Sequence, residues 1–564
     1  MNIQIDNPLE HARHWLEQDP DPETARELSG LIERAEAGNQ ESQALLEHKF
    51  STRLSFGTAG IRGPLGSGPA AMNRVVVSQT TAGLAAFLLG RHQPSSQTLR
   101  VVVGYDARKN SAVFARDTAE VLSGHGIEVL LTPHQVPTPI VAFAVRHLNC
   151  DAGVMITASH NPPEDNGYKV YFGGADEGSQ IVPPADSGIE AEIITAARTL
   201  SFERIPRSDA LVSETPEDLV ATYISHTIAS VTPAGAVGAV PTVVYTPMHG
   251  VGGDTFLALL EAAGLRVPVL VDEQFTPDPR FPTVAFPNPE EKGALDLAFA
   301  RARDVNAGLI IAHDPDADRL AVALLDSSSP SGYTSLTGNQ VGAILGWRAA
   351  EIAQKAGSKG ALANSLVSSP WLGKIAQHFG LTHEETLTGF KYVSRVPNLL
   401  FGFEEALGYL VDPDVVRDKD GISAALAIID LANRMASEGK TLWDYLTAIE
   451  KTVGAFASGQ ITIKIDPATA ATPITDLLRA KQPTQIGEHA VITADDFMEG
   501  VGGFPQDNIL RYYLADGSRV IVRPSGTEPK IKVYLDTAGN ARADAEASLA
   551  SLEGAVRHLL DALS

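Results

Sequence analysis

The sequence predicts an α/β protein of several domains that ends in a separate α+β domain. From residue 99 to about residue 436, short apolar runs alternate with helical stretches, which is typical of βαβ units and mostly parallel sheets. In the final hundred or so residues the pattern changes to β-rich segments followed by one amphipathic helix. At roughly 150 residues per domain, the 564 residues are enough for three or four domains.

The N-terminal segment, from residue 7 to about residue 48, is rich in Glu, Ala, Leu and Gln and predicts short helices that precede the first strand. After it come the strand LRVVVGYD, a helix from Ser111 to about Gly124, and the strands IEVLLTP and AGVMITAS. These elements form a first α/β set. We interpret the helices before it as an N-terminal extension.

The same alternation returns twice further along the chain. It is found in TVVYTPMHG, the helix TFLALLEAAG, the run RVPVLVDE, a helix near residues 294–304 and AGLIIAHD, and again from about residue 340 to 436. The repetition is one of pattern, since no identical stretch recurs. The closing segments ASGQITIKID, RVIVRPSG and KIKVYLDT predict strands of the last domain. Its final helix carries one apolar stripe for core packing, formed by Leu549, Leu552, Val556, Leu559 and Leu560.

Composition excludes several classes of protein. Lys and Arg number 44 against 68 Asp and Glu, and the formal net charge of −24 argues against a nucleic-acid partner. The single cysteine, Cys150, cannot form an intrachain disulfide, so a reducing compartment and a cytoplasmic location are expected. The N-terminus lacks a basic region followed by an apolar one, and no apolar run approaches ~20 residues. Neither secretion nor a membrane is therefore expected.

The loop TASHNPP directly follows the apolar run AGVMI. Its Ser159 stands at the end of a buried strand, where it is placed for nucleophilic or phosphoryl chemistry, and His160 and Lys169 are nearby candidates for proton transfer. The loop is not a G-x-S-x-G elbow, because other residues occupy both glycine positions. For a lone serine, an ordinary turn remains the alternative.

The loop HDPDADR lies between two apolar runs and carries Asp314, Asp316 and Asp318. Three carboxylates at alternate positions repel one another unless a cation lies among them, and oxygen ligands suit Mg²⁺. An EF-hand is disfavoured, because the positions that would need Gly and Glu hold Arg319 and Leu325. We expect a metal site, with a solvated acidic turn as the alternative.

Two further loops carry polar groups suited to sugar phosphates. The vicinal carboxylates Glu404 and Glu405 could accept hydrogen bonds from sugar hydroxyls, and the cations of the following RDKDG segment could meet a phosphate. In RPSGTEPK, Arg523 and the small residues after it offer guanidinium, hydroxyl and backbone N–H donors to an anion. The Glu404 loop alone could equally be charged protein surface. For RPSGTEPK the alternative is a plain hairpin turn, and the grouping of Arg, Ser and Thr favours the anion site.

Taken in order, these motifs resemble the α-D-phosphohexomutase superfamily, the phosphoglucomutases and phosphomannomutases. The resemblance spans about Ser55 to Tyr534. Its anchors are SFGTAGIRG, TASHNPPEDNGYKVY, TPMHGVGG, DPDADR, TGFK, GFEEALGYLVDP with RDKDG, and RPSGTEPKIKVY.

The resemblance implies three related α/β domains with mixed sheets and a C-terminal α+β domain of TATA-binding-protein-like fold, arranged around a central cleft. The implied division is a helical N-terminal extension at 1–48, α/β domains at 49–207, 208–326 and 327–453, and an α+β domain at 454–564.

The resemblance also implies roles for individual residues. Ser159 would be the phosphoserine and would bind one Mg²⁺ together with Asp314, Asp316 and Asp318. The other catalytic residues would be Arg62, His160, Lys169 and Lys391. Sugar-binding residues would be Thr58, Arg319, Thr388, Glu404 and Lys419, and the phosphate that does not react would be bound by Arg523, Ser525, Gly526 and Thr527.

The implied reaction interconverts a hexose 1-phosphate and a hexose 6-phosphate, of glucose or mannose, through a phosphoserine and a sugar 1,6-bisphosphate that also serves as activator. The sugar loop departs from the common Gly-Glu-x-Ser pattern, because Phe403 replaces the glycine and Ala406 the serine that contacts the sugar. That departure looks more like the branch that includes phosphopentomutases. Hexose and pentose therefore both stay open, with hexose as the expectation.

Three other functions are compatible with parts of the sequence. A sugar-bisphosphate synthase would use the same loops with a phosphoryl donor, and a haloacid-dehalogenase-type phosphatase would use Asp314 as its nucleophile. A sugar-phosphate sensor would keep the pocket without turnover. In each case the expected partner is a small sugar phosphate, and the sequence predicts no oligomeric state.

Overall fold

The structure is a computed structural model that describes residues 7–57, 60–91, 98–231, 240–464, 473–524 and 530–563. The chain divides into two compact units. The first comprises Met1–Ser335 and Gly408–Asn433, and the second comprises Leu336–Leu407 and Arg434–Ser564. Among the described residues, none of the helices has the length and apolar character needed to cross a lipid bilayer.

Three helices open the first unit: α1 (Pro8–Gln18), α2 (Pro22–Glu36) and α3 (Gln40–Ser51). Each begins after an Asn or Asp whose side chain accepts a hydrogen bond from the first turn, which satisfies a backbone N–H that has no partner within the helix. Their apolar faces, which include Trp15, Leu28 and Phe50, are buried in the same core as the first sheet. The helical segment is thus packed onto the α/β body.

The first sheet is mixed and has the strand order β1-β5-β4-β2-β3-β7, with β6 paired to β5. Pairs among β2, β3, β4 and β7 are parallel, whereas β5 runs antiparallel to β1 and β4. The strands are β1 (Gly60–Pro64), β2 (Arg100–Tyr105), β3 (Glu128–Leu131), β4 (Ala152–Ile156), β5 (Asp165–Phe172), β6 (Ser179–Gln180) and β7 (Val212–Glu214). The helices are α4 (Arg74–Arg91), α5 (Ser111–Gly124), α6 (Thr138–His147) and α7 (Ala185–Thr199). The predicted helix from Ser111 to Gly124 is confirmed.

The second sheet of this unit has the order β12-β11-β10-β8-β9 and is also mixed. Strands β8, β9 and β10 pair in parallel, and β10, β11 and β12 form antiparallel pairs. The strands are β8 (Val243–Thr246), β9 (Val269–Leu270), β10 (Leu309–His313), β11 (Leu320–Leu325) and β12 (Tyr333–Ser335). The helices are α8 (Leu219–Val231), α9 (Gly252–Ala262), α10 (Asp272–Phe275) and α11 (Asp296–Val305).

The second unit begins with a three-stranded parallel arrangement in which β13 pairs with both β14 and β15. Its elements are α12 (Gly338–Ala356), β13 (Ala361–Ser365), α13 (Trp371–Phe379), β14 (Thr382–Thr386), α14 (Phe390–Val393) and β15 (Leu399–Glu404). The chain then passes through β16 (Gly408–Leu410) and most of α15 (Gly421–Ser437), which belong to the first unit, and α16 (Leu442–Val453) belongs to the second again.

The C-terminal part of the second unit is an antiparallel sheet of six strands in the order β17-β22-β21-β20-β19-β18. Its elements are β17 (Ala455–Lys464), α17 (Ile474–Ala480), β18 (Gln485–Ile486), β19 (His489–Asp496), β20 (Leu510–Leu514), β21 (Arg519–Pro524), β22 (Lys530–Gly539) and α18 (Arg542–Asp561). Leu552, Val556 and Leu560 of α18 are buried against this sheet. The predicted α+β domain and its apolar stripe are confirmed.

Candidate active site

Ser159 lies three residues beyond the end of β4, in a loop whose backbone is fixed by local hydrogen bonds. Its φ of 53° is in the left-handed region, which is uncommon for a residue other than glycine. The Ser159 N–H donates to Thr157 Oγ1 at 2.8 Å. The serine is 2% exposed, and its Oγ donates to Asp314 Oδ2 at 2.7 Å. The structure therefore brings the serine of the first sheet to the acidic loop of the second.

Asp314, Asp316 and Asp318 form the turn between β10 and β11, and all three are buried. One carboxylate oxygen from each lies within 4.8 Å of the others. Asp316 Oδ1 and Asp318 Oδ1 have no hydrogen-bond partner among the described residues. Buried oxygens without donors are expensive, and a divalent cation with oxygen ligands would satisfy them. The donor set of this cluster therefore fits Mg²⁺.

The motif TPMHGVGG packs against Pro315 of the acidic turn. The Val251 N–H donates to Pro315 O at 2.8 Å. A Cβ on Gly250 would lie 2.3 Å from the Pro315 Cα, so only glycine allows the two loops to approach this closely. The Arg319 N–H closes the turn by donating to Asp314 Oδ1 at 3.0 Å.

Three cations face the three carboxylates. Lys169 on β5 is buried, and its Nζ lies 2.7 Å from Asp316 Oδ2 and 2.8 Å from Asp318 Oδ2. Lys419 Nζ lies 3.2 Å from Asp318 Oδ2, and Arg319 Nε lies 3.9 Å from Asp318 Oδ1. The cluster is thus close to charge balance in a place from which water is largely excluded.

The carboxyl groups of this cluster differ in acidity. Burial, reinforced by the negative charges of Asp316 and Asp318, raises the pKa of Asp314 well above its usual value. Burial also acts to raise the pKa values of Asp316 and Asp318, but attraction to Lys169 outweighs it and leaves both lowered. Two of the three side chains are therefore held as carboxylates by the lysine.

His160 lies beside the serine, and the charge of Arg62 acts on its imidazole. His160 Nδ1 is 3.4 Å from Ser159 Oγ, and its ring makes an edge contact with Phe286. Burial, together with the positive charges of Arg319 and Arg62, lowers the pKa of His160 well below its usual value, so the imidazole is neutral at neutral pH. Arg62 is exposed on β1, opposite Gly167 of β5.

The remaining described residues of the predicted site belong to the second unit. Glu404 ends β15, and its Oε1 accepts a hydrogen bond from the Gly389 N–H at 2.7 Å. Lys391 is buried in α14, with its Nζ 4.9 Å from the ring centre of Tyr392. Half-buried positions are occupied by Thr388, in the loop before α14, and by Arg523, near the end of β21. Thr58, Ser525, Gly526 and Thr527 lie outside the described residues.

Several residues that hold the site in the first unit were not predicted from the sequence. Thr138 Oγ1 donates to Asp316 Oδ2. Asp418 accepts hydrogen bonds from Tyr171 Oη at 3.1 Å and Gln180 Nε2 at 2.9 Å, and so fixes the segment that carries Lys419. The polar residues of RDKDG were a signal for Asp418, but no local pattern points to Thr138 or Tyr171, because their partners are distant in sequence.

His313, at the end of β10, is a second unpredicted support. Its Nε2 lies 3.0 Å from Gly421 O, which can only accept a hydrogen bond, and its Nδ1 lies 3.0 Å from Tyr245 Oη. The ring therefore carries its proton on Nε2. Burial lowers the pKa of His313 to about 4, so the neutral form is kept.

Comparison with known proteins agrees with this geometry. Family models for phosphoglucomutase/phosphomannomutase α/β/α domains I, II and III match residues 53–199, 221–326 and 337–452, and the model for the C-terminal domain matches residues 476–548. A probable phosphomannomutase of Haemophilus influenzae is 50% identical over 490 residues, which cover 87% of this chain and 98% of that protein. The chain belongs to the phosphoglucomutase/phosphomannomutase family. The family resemblance and the fold class predicted from the sequence are confirmed, and the protein is an enzyme of the intramolecular phosphotransferase type.

Members of the phosphoglucomutase/phosphomannomutase family that resemble this chain carry different names. A phosphopentomutase of Mus musculus is 35% identical over 575 residues, covering 93% of this chain and 89% of that protein. A phosphoglucomutase of Staphylococcus haemolyticus is 34% identical over 514 residues, covering 87% of this chain and 91% of that protein. The crystal structure of a putative phosphomannomutase from Thermus thermophilus shares the fold, with a TM-score of 0.68 at 22% identity, covering 90% of this chain and 99% of that one.

Proposed function

We propose that the enzyme interconverts hexose 1-phosphates and hexose 6-phosphates, of glucose or mannose, with Ser159 as the residue that carries the transferred phosphoryl group. The observation on which this rests is the 2.7 Å hydrogen bond between Ser159 Oγ and Asp314, within a buried cluster of three carboxylates. This arrangement places a serine hydroxyl against groups that could bind a divalent cation, while Lys169 and Lys419 offset their charge. Phosphoryl transfer needs this kind of positioning and charge neutralisation.

Asp314, Asp316 and Asp318, together with an oxygen of phosphorylated Ser159, would hold Mg²⁺, which would neutralise charge on the transferring group when bound. In the first half-reaction the bond from Ser159 Oγ to phosphorus breaks as a sugar hydroxyl oxygen forms its own bond to phosphorus. The product is a sugar 1,6-bisphosphate and the serine hydroxyl. After the sugar reorients, its other phosphoryl group passes to Ser159, and the isomeric monophosphate is left.

The proton of the attacking hydroxyl needs an acceptor. We assign it to His160, which accepts this proton and returns it to the leaving Ser159 Oγ, because the imidazole lies 3.4 Å from that oxygen and is kept neutral by burial. Lys169 serves instead as a fixed charge, since its Nζ is engaged by two carboxylates. Arg62 and Lys391 would attract the phosphate groups of the substrate. Its sugar hydroxyls and second phosphate would be bound by Thr58, Arg319, Thr388, Glu404, Lys419, Arg523, Ser525, Gly526 and Thr527.

The hexose assignment is supported by the relative of highest identity among those named above, which is a probable phosphomannomutase. The second candidate function is that of a phosphopentomutase, and the sugar loop favours it. Ala406 lacks the hydroxyl that the common family loop offers to the sugar, and phosphopentomutases align over 93% of this chain. One such hydrogen bond is worth about 1 to 3 kcal/mol, which is enough to change a preference between sugars.

The test compares glucose, mannose and ribose 1-phosphates with Mg²⁺ and a trace of sugar bisphosphate, and reports kcat/KM for each. We expect a hexose to have the highest value and Ser159→Ala to abolish turnover of all three. The exposed Ser187 provides a matched control, and Ser187→Ala should be as active as the natural enzyme. A higher value for ribose would identify a phosphopentomutase. Turnover only with an added phosphoryl donor would identify a bisphosphate synthase, and turnover that survives Ser159→Ala would overturn the proposal.

We further propose a cytoplasmic location, which is supported by the single cysteine in a chain of this size.

A further inference from the structure

A buried arginine donates hydrogen bonds to the backbone of the Ser159 loop. Arg108 follows β2 and is 4% exposed. Its Nη2 donates to Ser159 O and Asn161 O, both at 2.6 Å, and its Nη1 donates to Pro162 O at 2.7 Å and Asp165 O at 3.0 Å. All four N–H groups at the end of the guanidinium are therefore bonded to carbonyl oxygens of one loop.

The guanidinium is itself held from two sides. Asp106 Oδ2 lies 3.6 Å from Arg108 Nε, and Asp106 Oδ1 accepts a hydrogen bond from the Arg108 backbone N–H at 2.9 Å. The ring of Phe281 covers the guanidinium, with its centre 5.0 Å from Arg108 Cζ. Asp106 is in turn fixed by Ser111, whose Oγ donates to Asp106 Oδ1 at 2.6 Å. A side chain packed in this way has little freedom to follow a moving loop.

The loop needs such a constraint because Ser159 has a φ of 53°. A non-glycine residue in this region is strained and keeps the conformation only where its surroundings impose it. At Ser159 the carbonyl is fixed by Arg108 and the N–H by Thr157 Oγ1. With both backbone groups fixed, the Cα–Cβ bond of Ser159 is held in a direction from which its Oγ reaches Asp314.

We infer that Arg108 is a positioning residue for phosphoryl transfer: its guanidinium holds the Ser159 loop in the strained conformation that directs the serine oxygen at the acidic cluster. The inference rests on the proposed role of Ser159. Within the described part of the chain, Arg108 makes no hydrogen bond or ion pair with Ser159 Oγ or with the carboxylates of the cluster, so it acts through the loop backbone. A lysine in its place keeps the charge but cannot reproduce a planar fork that spans four carbonyls.

The experiment measures kcat, KM and the rate of Ser159 phosphorylation by a sugar bisphosphate for Arg108→Lys and Arg108→Ala. A displacement of about 1 Å in a reacting group lowers a rate by roughly 100-fold, so we expect Arg108→Lys to lose about that factor in kcat and in the phosphorylation rate. KM for the sugar phosphate should change little, because the residues proposed to bind the sugar lie in other loops. Millimolar guanidinium should restore part of the rate of Arg108→Ala, and urea should not.

Arg207→Lys is the matched control. Arg207 also pairs with a buried aspartate, Asp117, and lies over the ring of Phe202, but in the described ranges it makes no hydrogen bond or ion pair with the Ser159 loop. Its substitution should lower stability without changing kcat per folded molecule or the response to guanidinium.

All rates are divided by the folded fraction from circular dichroism, so that a loss of folding is not counted as a loss of catalysis. Arg108→Lys decides the matter if Arg108→Ala does not fold. The inference is overturned if Arg108→Lys matches the natural enzyme per folded molecule, fails to fold at all, or loses activity with a matching rise in KM. If the natural enzyme itself shows no phosphorylation of Ser159, the proposed function is wrong. If the natural enzyme is phosphorylated and Arg108→Lys is phosphorylated at the same rate, only the role of Arg108 is wrong.

Discussion

Replacing Lys169 with methionine would remove the cation that holds two of the three buried carboxylates. Its Nζ lies 2.7 Å from Asp316 and 2.8 Å from Asp318, and all three side chains are at most 2% exposed. Removing one partner of a buried ion pair costs about 3 to 5 kcal/mol, because the remaining charge stays desolvated. We expect the free energy of unfolding of the first unit to fall by about that amount in the absence of Mg²⁺.

Magnesium should reverse part of this loss. A dication bound to the three carboxylates would supply the missing positive charge, so saturating Mg²⁺ should stabilise Lys169→Met more than it stabilises the natural protein. The assay is urea unfolding followed by circular dichroism, once with Mg²⁺ and once with a chelator. Turnover of the variant should remain low even when Mg²⁺ has restored its stability.

The control is Lys109→Met. Lys109 pairs with Glu23 at the surface, where the side chains are 50% and 64% exposed, and such pairs are worth at most about 1 kcal/mol. If Lys169→Met unfolds at the same urea concentration as Lys109→Met both with Mg²⁺ and with the chelator, Lys169 does not stabilise the carboxylates of Asp316 and Asp318.

Three further outcomes are expected. Burial raises the pKa of Asp412 from 3.8 to about 6, because the folded protein favours the protonated carboxyl. The contribution of this carboxyl to the free energy of unfolding is therefore complete below about pH 4 and is lost as the pH rises through 6. Asp412→Asn should remove about 3 kcal/mol of this pH dependence, measured by urea unfolding between pH 4 and 8; an unchanged slope would refute the assignment. A Cβ on Gly83 would lie 2.5 Å from the backbone nitrogen of Ile193, whereas a Cβ on Gly90 of the same helix meets nothing within 4 Å. Gly83→Ala should therefore lower the melting temperature and Gly90→Ala should hold or raise it, and equal melting temperatures would contradict the packing of α4 against α7. Finally, Ala406→Ser should raise kcat/KM for a hexose phosphate by about tenfold relative to ribose 1-phosphate, and no change in the ratio would show that position 406 does not contact the sugar.

Much of the first unit could be predicted because its elements follow local patterns. The apolar run before Ser159 is β4, and the alternating aspartates of DPDADR do form one tight turn. The strand predicted from RVPVLVDE was too long, since only Val269–Leu270 pairs with a neighbouring strand. Pro268 has no N–H to donate to a sheet, so pairing starts only after it.

The supports of the site could not be predicted in the same way. Arg108 and Ser159 are separated by about 50 positions, and Tyr171 reaches Asp418 across nearly 250. Such contacts depend on which strands are neighbours in the sheets, and hydrophobic periodicity does not determine that order. Motifs in the sequence point to the residues for which we propose chemistry, whereas the residues that hold them become visible only in the fold.

The most direct test of the account is to identify the residue that carries the phosphoryl group. The protein is incubated with a sugar 1,6-bisphosphate and Mg²⁺, digested, and its peptides are mapped by mass spectrometry before and after treatment with acid and with hydroxylamine. The account predicts one phosphoryl group on Ser159, stable to both treatments and lost when a hexose monophosphate is added. A hydroxylamine-labile phosphoryl group on Asp314, or turnover without any phosphorylated Ser159, would contradict it.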